Sequence, residues 1–194
     1  DFHPPPRPDA GTTERPVVVG FGPCGLFTAL VLAQQGYRPI VLERGRDVRR
    51  RTQDTWGLWR KRTLTPESNV QFGEGGAGLF SDGKLYSQIK DPRHLGRQVM
   101  REFVRAGAPP EIMWVNKPHI GTFRLTGVVA RMREEIIALG GEIRFESKVV
   151  DLLLGPATCG TGPAAAGAAK KADALQVRGV QLADGTTIES RHVV

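Results

Sequence analysis

Residues 17–45, VVVGFGPCGLFTALVLAQQGYRPIVLERG, run as a β-branched strand, a glycine turn, an apolar helix and a second strand that ends in an acid. This is the sequence form of a dinucleotide-binding βαβ unit, and it constrains the fold more than any other stretch. Gly20, Gly22 and Gly25 make G-x-G-x-x-G. Val17 to Val19 suit a parallel strand buried on both faces. Gly20 allows a tight turn, Gly22 removes a Cβ where a pyrophosphate would approach, and Gly25 lets the helix pack close to the strand. The helix N-terminus offers unpaired N–H groups and a positive dipole end to phosphates. Pro23 fits the first turn, whose N–H has no helical partner. Gly36 fits the helix end. Glu43 stands 23 residues after Gly20, near the spacing of an acid that accepts from ribose hydroxyls. The competing reading is a chance glycine pattern in another α/β turn. Strand context, spacing and Glu43 together weigh against it.

The rest of the chain fits one α/β domain of ordinary size, and 40% hydrophobic residues suffice for a core. No apolar run reaches the length of a membrane span, and no secretory segment is visible, so a cytoplasmic location is expected. Residues 1–15 are Pro-rich and polar and read as a disordered linker. The first strand is expected at 16–20, its helix at 23–35 and the second strand at 38–43. Residues 46–122 then read as a long insertion. Arg46 to Lys61 should be helical, with Trp56 and Trp59 sharing a core-facing side. Residues 91–107 should form a helix capped by Asp91, with Pro92 first and Gly107 as its stop; its apolar stripe is Leu95, Val99, Phe103 and Val104. Residues 124–139 repeat apolar side chains at helical period: Leu125, Val128, Val129, Met132, Ile136 and Leu139. A parallel strand should follow at 142–146. Three antiparallel strands should lie at 148–154, 176–182 and 186–190, with Asp184-Gly185 at the last turn. Residues 155–175 are Ala/Gly-rich and read as a loop without function.

Cys24 and Cys159 are far apart and lack C-x-x-C spacing, so neither a redox disulfide nor a secreted disulfide framework is indicated. A thiol at a helix N-terminus can be acidified, but a small packing residue in the turn is the plainer reading of Cys24. Four scattered histidines give no metal-ligand spacing, and no metal is expected. The net charge of +7 owes much to residues 44–62, which hold Arg44, Arg46, Arg49, Arg50, Arg51, Arg60, Lys61 and Arg62. These read as a solvated helix face or as charge near cofactor phosphates, in preference to a nucleic-acid patch. Gly73 to Gly83, GEGGAGLFSDG, is too glycine-rich for a helix or a good strand and reads as a loop whose backbone can approach a ligand. Gly78 to Lys84 satisfies G-x-x-x-x-G-K, but Leu85 stands where a phosphate loop needs Ser or Thr, and no β-branched strand leads in.

The motif G-x-G-P-x-G-L, with Glu43-Arg44-Gly45 closing the second strand, resembles the N-terminal FAD site of two-dinucleotide-binding flavoproteins. NAD sites share its glycines. Residues 65–92, TPESNVQFGEGGAGLFSDGKLYSQIKDP, resemble a family of bacterial and plastid FAD-dependent dehydrogenases of unknown substrate. Residues 53–62 and 117–129 resemble the same family. The likeness covers about 16–154 and 176–194.

The resemblance implies a Rossmann-like FAD-binding domain over 16–194, with a parallel sheet, a helical and loop insertion and a three-stranded β-meander. It implies FAD held non-covalently and a dehydrogenase that transfers a hydride to or from the flavin. In that reading Gly20, Gly22, Pro23, Cys24 and Gly25 surround the pyrophosphate, and Glu43 and Arg44 meet the adenosine. Gly75, Gly76, Gly78, Ser81, Asp82 and Lys84 follow the cofactor inward, Lys84 standing near flavin N1. Val149 offers a backbone contact to adenine. A small-molecule substrate or an electron carrier is the expected partner, NAD(P)H a candidate electron donor, and no membrane is expected. No catalytic acid or base can be chosen. Family members are longer at both ends, so the chain reads as an internal fragment, inactive alone. The alternatives are a nucleic-acid-modifying flavoprotein and a dinucleotide-binding module without turnover.

Overall fold

The computed structural model describes residues 2–9, 11–156 and 175–194. Most of the Ala/Gly-rich stretch, residues 157–174, lies outside them. Strands β1 (Val17–Val19), β2 (Ile40–Leu42) and β3 (Glu142–Arg144) form a parallel sheet in the order β1-β2-β3. The register pairs Val18 with Val41 and Val41 with Ile143. The last residues run parallel to β1 on its free side: Val17 N donates to His192 O at 2.8 Å and Val19 N to Val194 O at 2.8 Å.

Side-chain alternation along these strands divides the core in two. Val18 and Val41 face helix α1 (Pro23–Gln34) and helix α4 (Thr122–Ala138), where Leu26, Leu30, Val128, Met132 and Ile136 are buried. Val17, Ile40 and Leu42 face the other way, onto Val180, Leu182 and Ile188. Those three come from an antiparallel meander of β4 (Val149–Pro156), β5 (Leu175–Leu182) and β6 (Thr187–Glu189). Both faces of the parallel sheet are therefore covered, which is why its strands read as continuous apolar runs. The α/β architecture of a three-stranded parallel sheet and a three-stranded antiparallel sheet is the expected one. Residues 2–9 and 12–15 carry no helix or strand; Arg15 nevertheless reaches Glu142 at 2.8 Å and Glu14 reaches Arg191 at 2.7 Å.

The helices after β2 depart from expectation in four places. Helix α2 spans Val48–Lys61, starting two residues late because the Asp47 carboxylate accepts from Arg49 N and Arg50 N and caps it. Trp56 and Trp59 are exposed rather than core. They stack edge-on with each other, Trp59 on Phe80, and Arg60 lies over Trp56. The buried face of α2 carries Val48, Arg51 and Thr55 instead. Helix α3 is Leu95–Arg105, shorter than expected. Asp91 still caps it, but from four residues upstream, its carboxylate accepting from Leu95 N at 3.0 Å and Gly96 N at 2.7 Å. Pro92 to His94 form the turn between, with His94 at φ 52°. Leu139 lies past the end of α4 and is exposed, because Gly140 turns the chain there at φ 88°. Among the described residues, no helix is long and apolar enough to cross a membrane.

Candidate functional site

The β1–α1 turn has the shape its glycines demand. Gly20 adopts φ 92°. A Cβ on Gly25 would sit 2.0 Å from Gly20 O and 3.3 Å from Val18 Cγ1, so the helix rests directly on the strand. A Cβ on Gly22 would meet only Gly76 Cα, at 3.8 Å, so that face of the turn is open. No side chain caps the N-terminus of α1, and Pro23 heads it. Its first N–H groups are left to a ligand or water.

Glu43, at the end of β2, is buried at 4% exposure. Its Oε2 accepts from Phe21 N at 2.7 Å; its Oε1 accepts from Gly45 N at 2.8 Å and Gly73 N at 3.1 Å. One carboxylate thus ties the glycine turn, the end of β2 and the glycine-rich loop together. Spacing suggested a ribose acceptor; the structure adds this backbone role. A carboxylate has about four acceptor sites, so Oε2 keeps room for a hydroxyl.

The loop at 69–76 is shaped by buried charge. Arg51 has no exposed surface. Its Nε donates to Asn69 O at 2.8 Å, Nη2 to Val70 O at 2.7 Å, and Nη1 to Glu74 O at 2.6 Å and Gly73 O at 3.3 Å. It belongs to no solvated face, contrary to the reading of the arginine run. Burial pushes its guanidinium down to about 10, against the opposing pull of Glu43 and Glu74, so it stays charged at neutral pH. Glu74 is fully buried; its Oε2 accepts from Val48 N and Arg133 Nη1, each at 2.7 Å, and Oε1 has no partner. Burial raises its carboxyl above the usual range. A Cβ on Gly45 would sit 2.5 Å from Gly73 Cα, so the two backbones touch. Two further members of the arginine run share a carboxylate. Arg46 and Arg50 both reach Glu146, at 3.0 Å each.

Around these elements lies a cavity of about 310 Å³. Gly20, Gly22 and Glu43 form one wall, Phe72, Gly73 and Gly76 a second, and Ser147, Lys148 and Val149 a third. Arg44 also lines it, its guanidinium 3.9 Å above the Phe72 ring. Arg44 and Lys148 share Glu67: Arg44 pairs with one carboxylate oxygen and Lys148 Nζ donates to the other at 2.9 Å. The Lys148 hydrogen bond first, then that of Arg44, holds the Glu67 carboxyl below its ordinary range.

A second, larger cavity of about 620 Å³ lies among α1, α3, α4 and residues 78–89. The anticipated site residues divide between the two. Gly20, Gly22, Glu43, Arg44, Gly76 and Val149 line the first; Pro23, Gly75, Gly78, Ser81 and Lys84 line the second. Gly25, Cys24 and Asp82 line neither. Gly25 is inside the turn. Cys24 is exposed, not a packing residue. Asp82 sits at φ 65°, exposed, with its carbonyl accepting from Gly121 N at 3.0 Å. Within the glycine-rich loop, Ala77–Phe80 form a 3₁₀ turn. Arg51, Phe72, Glu74 and Lys148 were not singled out from the sequence. For Arg51 a signal existed: Val48, Arg51 and Thr55 stand at i, i+3 and i+7, the spacing of a buried helix face.

No family model matches the chain. It is 57% identical over 143 residues to an uncharacterised protein of Clostridium beijerinckii, covering 72% of this chain and 26% of that one. The chain thus spans about a quarter of that relative's length. Among solved structures, THI4 of Thermovibrio ammonificans superposes with a TM-score of 0.51 at 16% identity, over 93% of this chain and 55% of its own. A 3-ketosteroid-Δ4-(5α)-dehydrogenase of Rhodococcus jostii RHA1 gives 0.46 at 16% identity, over 97% and 47%. The two-sheet α/β arrangement is shared with part of the THI4 fold.

Proposed function

We propose that this chain holds FAD non-covalently for an oxidoreductase of the dehydrogenase type. The observation that carries the reading is the cavity where the G-x-G-P-x-G turn, the acid closing β2 and the glycine-rich loop meet. The residues present fit the adenosine diphosphate half of a dinucleotide. The uncapped first turn of α1 faces a pyrophosphate with N–H groups and a positive dipole end. The open face of Gly22 leaves room for it. Glu43 Oε2 accepts from a ribose hydroxyl while its other bonds keep the turn closed. Arg44 and Lys148 add positive charge at the rim, and Val149 contributes backbone beside the adenine. Residues 75–78 carry the inner part of the cofactor past the mouth of the larger cavity. When bound, FAD supplies hydride acceptance from a substrate and onward electron transfer. A small molecule or an electron carrier is the reaction partner, with NAD(P)H a candidate donor. Arg44, Arg46 and Arg50 are paired with carboxylates, which takes three cations of the run from a nucleic-acid reading.

Purification followed by mass spectrometry of the heat-released nucleotide tests the proposal. Stoichiometric FAD is the expected result. Protein that takes up NAD but no FAD, or neither when each is supplied in excess, would overturn it.

A further inference from the structure

The larger cavity has a chemistry of its own. Its walls are apolar side chains from three helices: Leu26 and Phe27 of α1, Val99 and Phe103 of α3, Leu125 and Val129 of α4. About 620 Å³ is within the range of sites for small organic ligands. The polar groups come from one side, the segment that follows the 3₁₀ turn. Ser81 Oγ there already donates to Gly78 O at 2.7 Å. The single formal charge in the lining is Lys84; no carboxylate, among the described residues, lines the cavity. Lys84 enters none of the ion pairs among those residues. Its backbone is pinned by a bridge to His119. An apolar chamber with one exposed cation in its lining, in no ion pair among the described residues, favours a ligand with an apolar body and one negative end.

We infer that this cavity binds an apolar organic acid, with Lys84 as its counter-charge. Naming that acid the substrate class rests on the FAD reading, because backbone segments 20–23 and 73–78 contribute to both cavities. Binding itself does not rest on it, and is measured with and without FAD.

Two fluorescent probes separate the parts of the claim: 1-anilinonaphthalene-8-sulfonate and its uncharged parent, N-phenyl-1-naphthylamine. The sulfonate is expected to bind saturably at one site, and saturating FAD is expected not to displace it. Lys84→Met should weaken the sulfonate about tenfold and leave the parent unchanged. Met100→Trp, which fills the cavity from α3, should weaken both at least tenfold while FAD content stays as in the unaltered chain. Val99→Trp serves the same purpose if that variant does not fold. Three results would each overturn the inference: probe binding indifferent to both cavity-filling variants, Lys84→Met affecting both probes equally or neither, or displacement of both probes by FAD. The last would make the cavity the seat of the flavin ring. Failure of FAD uptake with intact probe binding would instead remove the cofactor reading alone.

Discussion

The turn at 20–25 and the loop at 69–76 face the same cavity but are held in shape by different means. The turn is held chiefly by what its residues lack, with one side-chain bond, from Phe21 N to Glu43 Oε2. Gly25 admits no Cβ, Gly20 takes a positive φ, and the helix settles onto the strand because nothing intervenes. The loop is held by side chains from elsewhere. Arg51 of α2 gathers four of its carbonyls, Glu43 of β2 takes one of its N–H groups, and Glu74 turns back to α2 and α4. Self-supporting backbone needs few partners. A loop held by buried charge depends on every partner being present, because a buried charge left alone is costly.

The contrast is broken most forcefully at Arg51. Arg51→Met should cost about 3–5 kcal/mol, since four carbonyls lose their donor and Glu43 and Glu74 lose a neighbouring cation. Urea unfolding measures it. A loss under about 1 kcal/mol would show that the loop supports itself. Next in size is Gly25→Ala, which strikes the turn. Its methyl would overlap Gly20 O, and about 3 kcal/mol is expected, the upper end of overpacking costs. A neutral result would mean that α1 can lift from β1 freely.

Glu43 joins the two regions and sharpens the comparison. Glu43→Gln keeps one acceptor oxygen but turns an amide N–H₂ towards a backbone N–H. The expected cost is about 1–2 kcal/mol, that of one buried donor left unpaired. Stability and FAD affinity should fall together, because in the proposed function the same oxygens serve the backbone and the ribose. Affinity falling with stability unchanged would confine Glu43 to the ligand.

The smallest effect belongs to the rim. Glu67 is held below its ordinary pKa by Lys148 and Arg44, so its contribution is present above the unfolded carboxylate value of about 4.5 and lost as pH falls through the lower folded value. Surface pairs of this kind contribute little. Glu67→Gln should lower the melting temperature by no more than about 2–4 °C at pH 7, and the difference should vanish towards pH 3. A difference that grew on acidification would show that Lys148 and Arg44 do not hold the Glu67 carboxylate in its charged form.

The two regions also differ in how far their sequence discloses them. Glycine spacing with a β-branched strand before it and an apolar helix after it is local, so the turn, α1, β2 and the acid at 43 were all legible. So were α4 and the meander, whose periodicities are regular. The loop's supports were not, because Arg51 sits among seven other cations and only tertiary burial distinguishes it. The tryptophans misled for the converse reason. Apolar side chains at i and i+3 suggest a core face, yet Arg51 and Thr55 occupy that face and leave the rings to stack on each other. The late start of α3 turned on His94 entering left-handed conformation, which its composition does not signal.

The cavity between turn and loop is proposed to receive the adenosine diphosphate half of FAD. Calorimetric titration of flavin-free chain with FAD, ADP and FMN is the test, because ADP carries the adenosine with both phosphates and FMN the flavin and ribityl chain with one. FAD should bind at one site per chain, ADP should compete for it, and FMN should not. FMN displacing FAD while ADP has no effect would contradict the proposal.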